Sequence, residues 1–303
     1  MAGFSIVVPT HGRPQPLTRC LEGLSRLDFP RDRFEVVVVD DGSRENQEPV
    51  VAPWQSRLNL KLVRQLNAGP AAARNHGARR AAFPFLAFID DDCVPDPRWL
   101  HAFEAAFADT PDALVGGKTV NALPENPYSS ASQHLVSYLC GYFDGQDGRT
   151  RLFTSNNMAV RAEAFRAAGQ FDTGFPRAAG EDREFCDRWV AQGGGTRFVE
   201  DARVLHAHSL TLRDYWRQHF EYGRGAALFG QSRAMREGAA VRVEPLAFYV
   251  NLLRFPFAGE SVPLPVRTSM LLALSQVANA AGYLSSALRK RESRPRADQR
   301  PTA

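Results

Sequence analysis

The period of the apolar positions changes along this chain. "FSIVVP" (Phe4 to Pro9), "FEVVVVD" (Phe34 to Asp40) and "FLAFID" (Phe85 to Asp90) are nearly unbroken apolar runs, as strands covered on both faces are. "LNLKLV" (Leu58 to Val63) predicts a further strand. Between these runs the period is helical. Leu17, Leu21 and Leu24 behind Pro14 predict a helix over roughly 14–27. Ala68 to Ala82 predicts a short helix, and "DPRWLHAFEAAFAD" (Asp96 to Asp109) an amphipathic one. Strands alternating with helices predict an α/β fold built on a mostly parallel sheet flanked by helices.

The second half is less regular. Ala113 to Val120 predicts a strand. Residues 121–151 are polar and predict a loop or insertion with a short helix around 130–140. "LFTSNNMAVRAEAF" predicts a strand running into a helix, and "GEDREFCDRWVAQGGG" a helix stopped by glycine. "TRFVEDARVLHAH" (Thr196 to His208) predicts two short extended pieces. From Leu210 the pattern is helical. The expected organisation is a catalytic-type α/β domain over 1–225, a helical and partly apolar extension over 226–290, and a basic, disordered tail over 291–303.

In open α/β sheets ligands sit beyond the carboxyl ends of the strands. Pro9-Thr10, Asp40-Asp41 and Asp90 to Asp92 all fall there and are expected to converge. Three adjacent carboxylates repel and need a counter-charge. A hard divalent cation is one candidate, because it accepts one or two carboxylates and leaves positions for phosphate oxygens. Alternation along an extended chain would put Asp90 and Asp92 on one side; a solvated acidic loop is the competing account. Asp40 and Asp41 suit hydrogen bonds from a ribose or base, or an Asp-Gly turn. Arg74, on the small-residue helix "NAGPAAARNHGAR", suits a phosphate or base, or simple packing. Glu181 and Asp182 precede a helix whose positive end keeps a carboxylate ionised, which suits a general base or a plain acidic cap. His206 and His208 suit a metal ligand or a strand-edge hydrogen bond.

Taken in order, PTHGRP, DDGS, N-A-G with A-R-N, DDD, the G-x-F-D of "GQFDTGFP" (Gly169 to Pro176) and GED resemble the family 2 glycosyltransferases of the GT-A fold. The resemblance covers roughly Phe4 to Arg224. It implies a nucleoside diphosphate sugar donor, UDP- or dTDP-linked, with Pro9, Thr10, Arg13, Asp40, Asp41, Arg74, Asp90 and Asp91 around the nucleotide. It implies Mg²⁺ or Mn²⁺ on Asp92, with Asp90 and His206 also assigned to the cation. Asp182 would be the general base with Glu181 beside it. Asn156, Asn157 and Arg224 would face the sugar, the acceptor and the diphosphate. The implied reaction is a single inverting displacement by a hydroxyl of a glycan or lipid-linked acceptor. Processive synthases carry Q-x-x-R-W after the base. Here "RQHFEYGRG" (Arg217 to Gly225) stands in that region, which implies addition of one or a few sugars.

Other classes fit less well. A sugar nucleotidyltransferase is expected to show a Gly-rich basic loop where "PTHGRPQP" stands. A non-catalytic nucleotide-sugar or glycan-binding module would not need both DDD and GED. No G-x-G-x-x-G follows the first strand, and no Walker A motif is present.

Charge and cysteine usage narrow the setting. The net charge is +4. The excess concentrates between Arg289 and Arg300, unlike a nucleic-acid groove. Cys20, Cys93, Cys140 and Cys186 show no paired spacing and read as free thiols in a reducing compartment. No signal peptide precedes the first strand, so a cytoplasmic protein is expected. Arg267 to Leu288 approaches the length of a membrane span. Ser269, Ser275, Gln276, Asn279, Ser285 and Ser286 interrupt it. An amphipathic helix is expected, either packed on the domain or lying peripherally on the inner face of the cell membrane.

Overall fold

The structure is a computed structural model that describes residues 3–143, 152–175, 179–238, 244–258 and 264–292. At its centre lie β1 (Phe4–Thr10) and β2 (Phe34–Asp40), parallel, in register and buried at every residue. Alternation sends Val36 and Val38 into one core, with Leu17, Leu21 and Phe103, and Val37 and Val39 into another, with Phe165, Phe185 and Trp189. Cover on both faces is why these strands read as unbroken apolar runs.

The remaining strands are β3 (Leu60–Arg64), β4 (Phe85–Ile89), β5 (Cys93–Pro95), β6 (Leu114–Asn121), β7 (Asn157–Arg161) and β8 (Thr196–His206). Their order in one eight-stranded sheet is β3-β2-β1-β4-β7-β6-β8-β5. From β3 to β4 every pairing is parallel. Beyond β4 the sheet is mixed: β7 is antiparallel to β4 and β6, and β5 is antiparallel to β8. The helices are α1 (Pro14–Leu24), α2 (Glu48–Val51), α3 (Pro70–Arg80), α4 (Trp99–Asp109), α5 (Pro127–Phe143), α6 (Ala162–Ala167), α7 (Glu181–Ala191), α8 (Leu212–Glu237), α9 (Leu246–Ala258) and α10 (Pro265–Glu292).

Three local outcomes depart from the expectations. The stretch expected as a loop with a short helix carries the 17-residue α5. Asn126 Oδ1 accepts from the backbone N–H groups of Tyr128 and Ser129, and Pro127 fills the first helical position, a strong start signal. Residues 144–151 of that stretch lie outside the described residues. The two extended pieces expected after residue 195 form one strand, β8. Its register against β6 jumps from Gly117–Val199 to Lys118–Arg203, so the expected break is a bulge inside a continuous strand. The boundary drawn after residue 225 falls inside α8, which runs through it.

The C-terminal helices pack on the domain. A Cβ on Gly223 would stand 1.9 Å from the carbonyl oxygen of Asn279, and one on Gly282 1.9 Å from that of Phe220. Glycine at both places lets the α8 and α10 backbones touch. Leu272, Ser275 and Ala278 are buried along the inner side of α10. Among the described residues, no helix is long and apolar enough to cross a membrane. Residues 293–303 of the expected tail lie outside the described residues.

Candidate active site

The three aspartates do not alternate along an extended chain. β4 ends at Ile89, and the chain folds into a turn closed by the Cys93 N–H donating to the Asp90 carbonyl at 3.0 Å. The turn fans the carboxylates toward different partners. Asp90 accepts from Arg74 Nη2 at 2.6 Å. Asp91 accepts from the Thr10 hydroxyl at 2.6 Å and is gripped by Arg13. Asp92 accepts from Arg13 Nη1 at 2.8 Å, and its other oxygen faces His206 Nε2 at 3.4 Å.

Each partner arrives for a local reason. Arg13 and Thr10 flank the end of β1. Arg74 lies on α3, which can approach the sheet because its small face includes Gly77: a Cβ there would stand 2.4 Å from Val7 Cγ1. His206 ends β8 and pairs with Cys93 across the β5–β8 ladder. That three-residue pairing sets an imidazole against Asp92.

Burial drives the electrostatics. It pushes the Asp91 carboxyl up to about 7, with Arg13 pulling the other way. Burial would also raise Asp92, but the hydrogen bond and charge of His206, then Arg13, hold it well below the usual carboxylate range. Burial would lower His206; Asp92 reverses this and raises it. His208, its neighbour at 5.1 Å between ring centroids, is pushed down to about 4 by burial and by His206, and stays neutral near neutral pH.

On the opposite side stands the GED segment. Gly180 has φ +101°, a conformation that glycine adopts without strain. Glu181 is buried, takes Arg74 Nη1 at 2.9 Å and the Ala179 N–H at 2.9 Å, and is pushed up to about 7 by burial and by Asp182. Arg74 therefore bridges Asp90 and Glu181. Asp182 is half-buried at the start of α7, accepting from the N–H groups of Ser155 and Arg183. Its carboxyl is raised, chiefly by burial. Direct contacts thus form two chains, Asp90–Arg74–Glu181 and Asp91–Arg13–Asp92–His206, joined through the backbone of the Asp90–Asp92 turn.

The other expected site residues stand apart from that network. Asp40 accepts from the Ser43 N–H at 2.9 Å and lies 3.5 Å from Arg64 Nε. Asp41 accepts from Gln65 Nε2 and from the Ala68 and Gly69 N–H groups, at 2.8, 2.9 and 2.9 Å, so it anchors the loop before α3. Pro9 is buried in β1 opposite Val39. Asn156 accepts from Thr154 and Thr119 hydroxyls at 2.7 and 3.1 Å. Asn157 turns inward, accepting from Trp99 Nε1 and donating to the Ala202 carbonyl. Arg224 pairs with Glu221 one turn back on α8. The sequence expectations missed Tyr222, which accepts from Gln218 at 2.7 Å; burial pushes its hydroxyl up to about 12, and the charges of Asp182, Glu181 and Asp90 reach it. The two glycines that follow it, Gly223 and Gly225, signal the close approach: a Cβ on Gly225 would stand 1.7 Å from the Ala179 carbonyl.

Asp92, Cys93 and His206 offer ligand atoms within 4.8 Å of one another. The Cys93 thiol is raised well above its ordinary value by burial and stays protonated, which leaves carboxylate and imidazole as the donor set. That pair fits a divalent cation.

The profile described as Glycosyl transferase family 2 matches residues 5–175. The chain belongs to that family. Among curated relatives it is 32% identical over 237 residues to the chondroitin synthase of Escherichia coli, covering 67% of this chain and 34% of that protein. It is 39% identical over 220 residues to the validoxylamine A glucosyltransferase of Streptomyces hygroscopicus subsp. jinggangensis, covering 63% of this chain and 52% of that one. The chain thus spans about a third to a half of the length of these two relatives. Its fold is similar to that of the mannosyltransferase PcManGT from Pyrobaculum calidifontis, solved with GDP-Man and Mn²⁺, at a TM-score of 0.62 and 21% identity over 96% of this chain and 79% of that one. The family 2 membership and the GT-A fold are those the motifs implied.

Proposed function

We propose that this chain moves a sugar from a nucleoside diphosphate donor, UDP- or dTDP-linked, to a hydroxyl of a glycan or lipid-linked acceptor, with inversion at the anomeric carbon. One observation carries the proposal: the Asp90–Asp92 turn sets the buried Asp92 carboxylate beside the His206 imidazole, while Asp182 stands at the start of α7 with only two backbone N–H donors. Asp92 and His206 are the residues that would hold Mg²⁺ or Mn²⁺. A cation there supplies charge compensation for the departing diphosphate. Asp182 takes the proton of the attacking hydroxyl; its raised affinity for a proton suits that role. Arg74 and Glu181 position the two halves of the site. Arg13, half-exposed between Asp91 and Asp92, can turn toward a phosphate without abandoning both. The absence of Q-x-x-R-W supports addition of one or a few sugars.

The test is thermal stabilisation by UDP, dTDP, GDP, CDP and ADP, each with Mn²⁺, Mg²⁺ or chelator. A shift that needs both one diphosphate and metal, and disappears in Asp92→Ala, is the expected result. A shift indifferent to metal would remove Asp92 and His206 from the cation.

A further inference from the structure

α9 and α10 each leave an apolar side uncovered. On α9, Phe248 and Leu252 turn inward onto α5 and α10. Leu246, Val250, Leu253 and Phe257 form the opposite row, with Leu246 78% and Phe257 58% exposed. On α10, Leu272, Ser275 and Ala278 face inward, while Met270, Val277, Leu284 and Leu288 form the outer row, with Met270 68% exposed. The Ser269 hydroxyl donates to the Leu253 carbonyl at 2.8 Å, so the two rows adjoin. Contiguous exposed apolar surface of this kind marks an interaction site.

Within α9 and α10 every charged residue before Glu292 is basic. Arg254, one residue from Leu253, and Arg267, one residue from Val266, are exposed, and neither forms an ion pair with a described residue. α9 contains no acidic residue, and α10 contains none before Glu292; its last turns read Arg289-Lys290-Arg291. The nearest carboxylate before α9, Glu244, accepts from the Tyr142 hydroxyl. A second copy of the same face would meet this one basic helix to basic helix, and the sequence between the helices supplies a single acid, Glu260, against Arg254 and Arg267. A negatively charged lipid surface complements both the apolar rows and the basic rim. The 28 residues of α10, about 42 Å of helix, give it a long footprint.

We infer that the outer faces of α9 and α10 form a docking surface for an anionic lipid bilayer, on which the chain lies without crossing it. This surface stands independently of the transfer chemistry, because no residue of the Asp90–Asp92 turn or of GED contributes to it.

The experiment is co-sedimentation of the full chain with phosphatidylcholine vesicles, with and without phosphatidylglycerol, at low and high salt. It is paired with sedimentation velocity without vesicles. Binding to the phosphatidylglycerol vesicles, weakened by salt, is expected. Leu253→Asp with Met270→Asp should lower that binding at least tenfold, and Arg254→Gln with Arg267→Gln roughly tenfold or more. All four side chains are exposed, so circular-dichroism melting should be unchanged, which separates lost docking from lost folding. Three results would overturn the inference: no binding to the anionic vesicles at low salt, equal binding by the aspartate variant, or a dimer in solution that the aspartate variant dissolves. Because nucleotide is absent throughout, failure here leaves the diphosphate shift untouched, and failure of that shift leaves the vesicle result untouched.

Discussion

Two runs of aspartate stand at the carboxyl ends of parallel strands, and they are held in opposite ways. At the end of β2, Asp41 is satisfied by a glutamine and two backbone N–H groups of one nearby loop. At the end of β4, Asp90, Asp91 and Asp92 are held by long cationic side chains from α3 and the end of β1, and by an imidazole from β8. Backbone donors are fixed and cannot be exchanged for a ligand. Arginine and histidine are side-chain cations, and an incoming cation or a phosphate can compete with them. Position at a strand end is therefore a weak guide to chemistry. The kind of partner that balances the charge discriminates better.

Several substitutions would break or sharpen this contrast. The largest effects belong to the β4 side. Asp182→Asn should lower turnover by about a hundred- to ten-thousandfold, the usual worth of a positioned general base, while leaving the metal-dependent diphosphate shift in place. In the natural chain the acid limb of turnover against pH should lie above the ordinary aspartate range. The raised carboxyl must be unprotonated to accept the hydroxyl proton, so activity rises with pH through that limb. A pH profile of donor consumption reads both.

On the β2 side the currency changes from rate to stability. Asp41→Ala leaves two backbone N–H groups of the loop before α3 without their acceptor and should cost about 2–4 kcal/mol, measured by urea unfolding. A change below about 0.5 kcal/mol would mean that the loop is held by something else. Glu181 sits between the two regimes. Its folded carboxyl, near 7 against an ordinary 4.5, binds a proton more tightly than in the unfolded chain. The stability this supplies is complete below about 4.5 and is lost as pH rises toward 7. Relative to Glu181→Gln, the natural chain should lose roughly 1–3 kcal/mol across that window, seen as diverging melting temperatures. The smallest effect is expected for Arg64→Met. Its ion pair with Asp40 is long and its side chain more than half exposed, so the cost should stay below about 1 kcal/mol.

What the sequence made legible follows from burial and period. β1, β2 and β4 are covered on both faces and announce themselves as apolar runs. α1 is marked by proline and a leucine stripe. The partners of Asp92 were not legible in the same way. β5 has three residues, too few for any period, yet its antiparallel match to β8 brings Cys93 opposite His206. The expected alternation of Asp90 and Asp92 presupposed an extended chain, whereas the backbone closes a turn there. α5 carries a start signal in Asn126-Pro127, but the polar composition beyond it masks the helical period. The inward turn of Asn157 depends on Trp99 and Ala202, residues far from it in sequence, and no local signal encodes it.

The glycines of the C-terminal helices have a mechanical consequence. Gly282 meets the Phe220 carbonyl, Gly223 meets the Asn279 carbonyl, and Gly225 meets the Ala179 carbonyl just ahead of Gly180 and Asp182. Main chain rests on main chain at each joint, with no pliable side chain between. α8 is thus fixed to both α10 and the GED segment within two turns, over residues 220–225. If α10 rests on a surface, Asp182 is carried at a fixed standoff above it, and only a hydroxyl presented at that height comes into register with this proposed base.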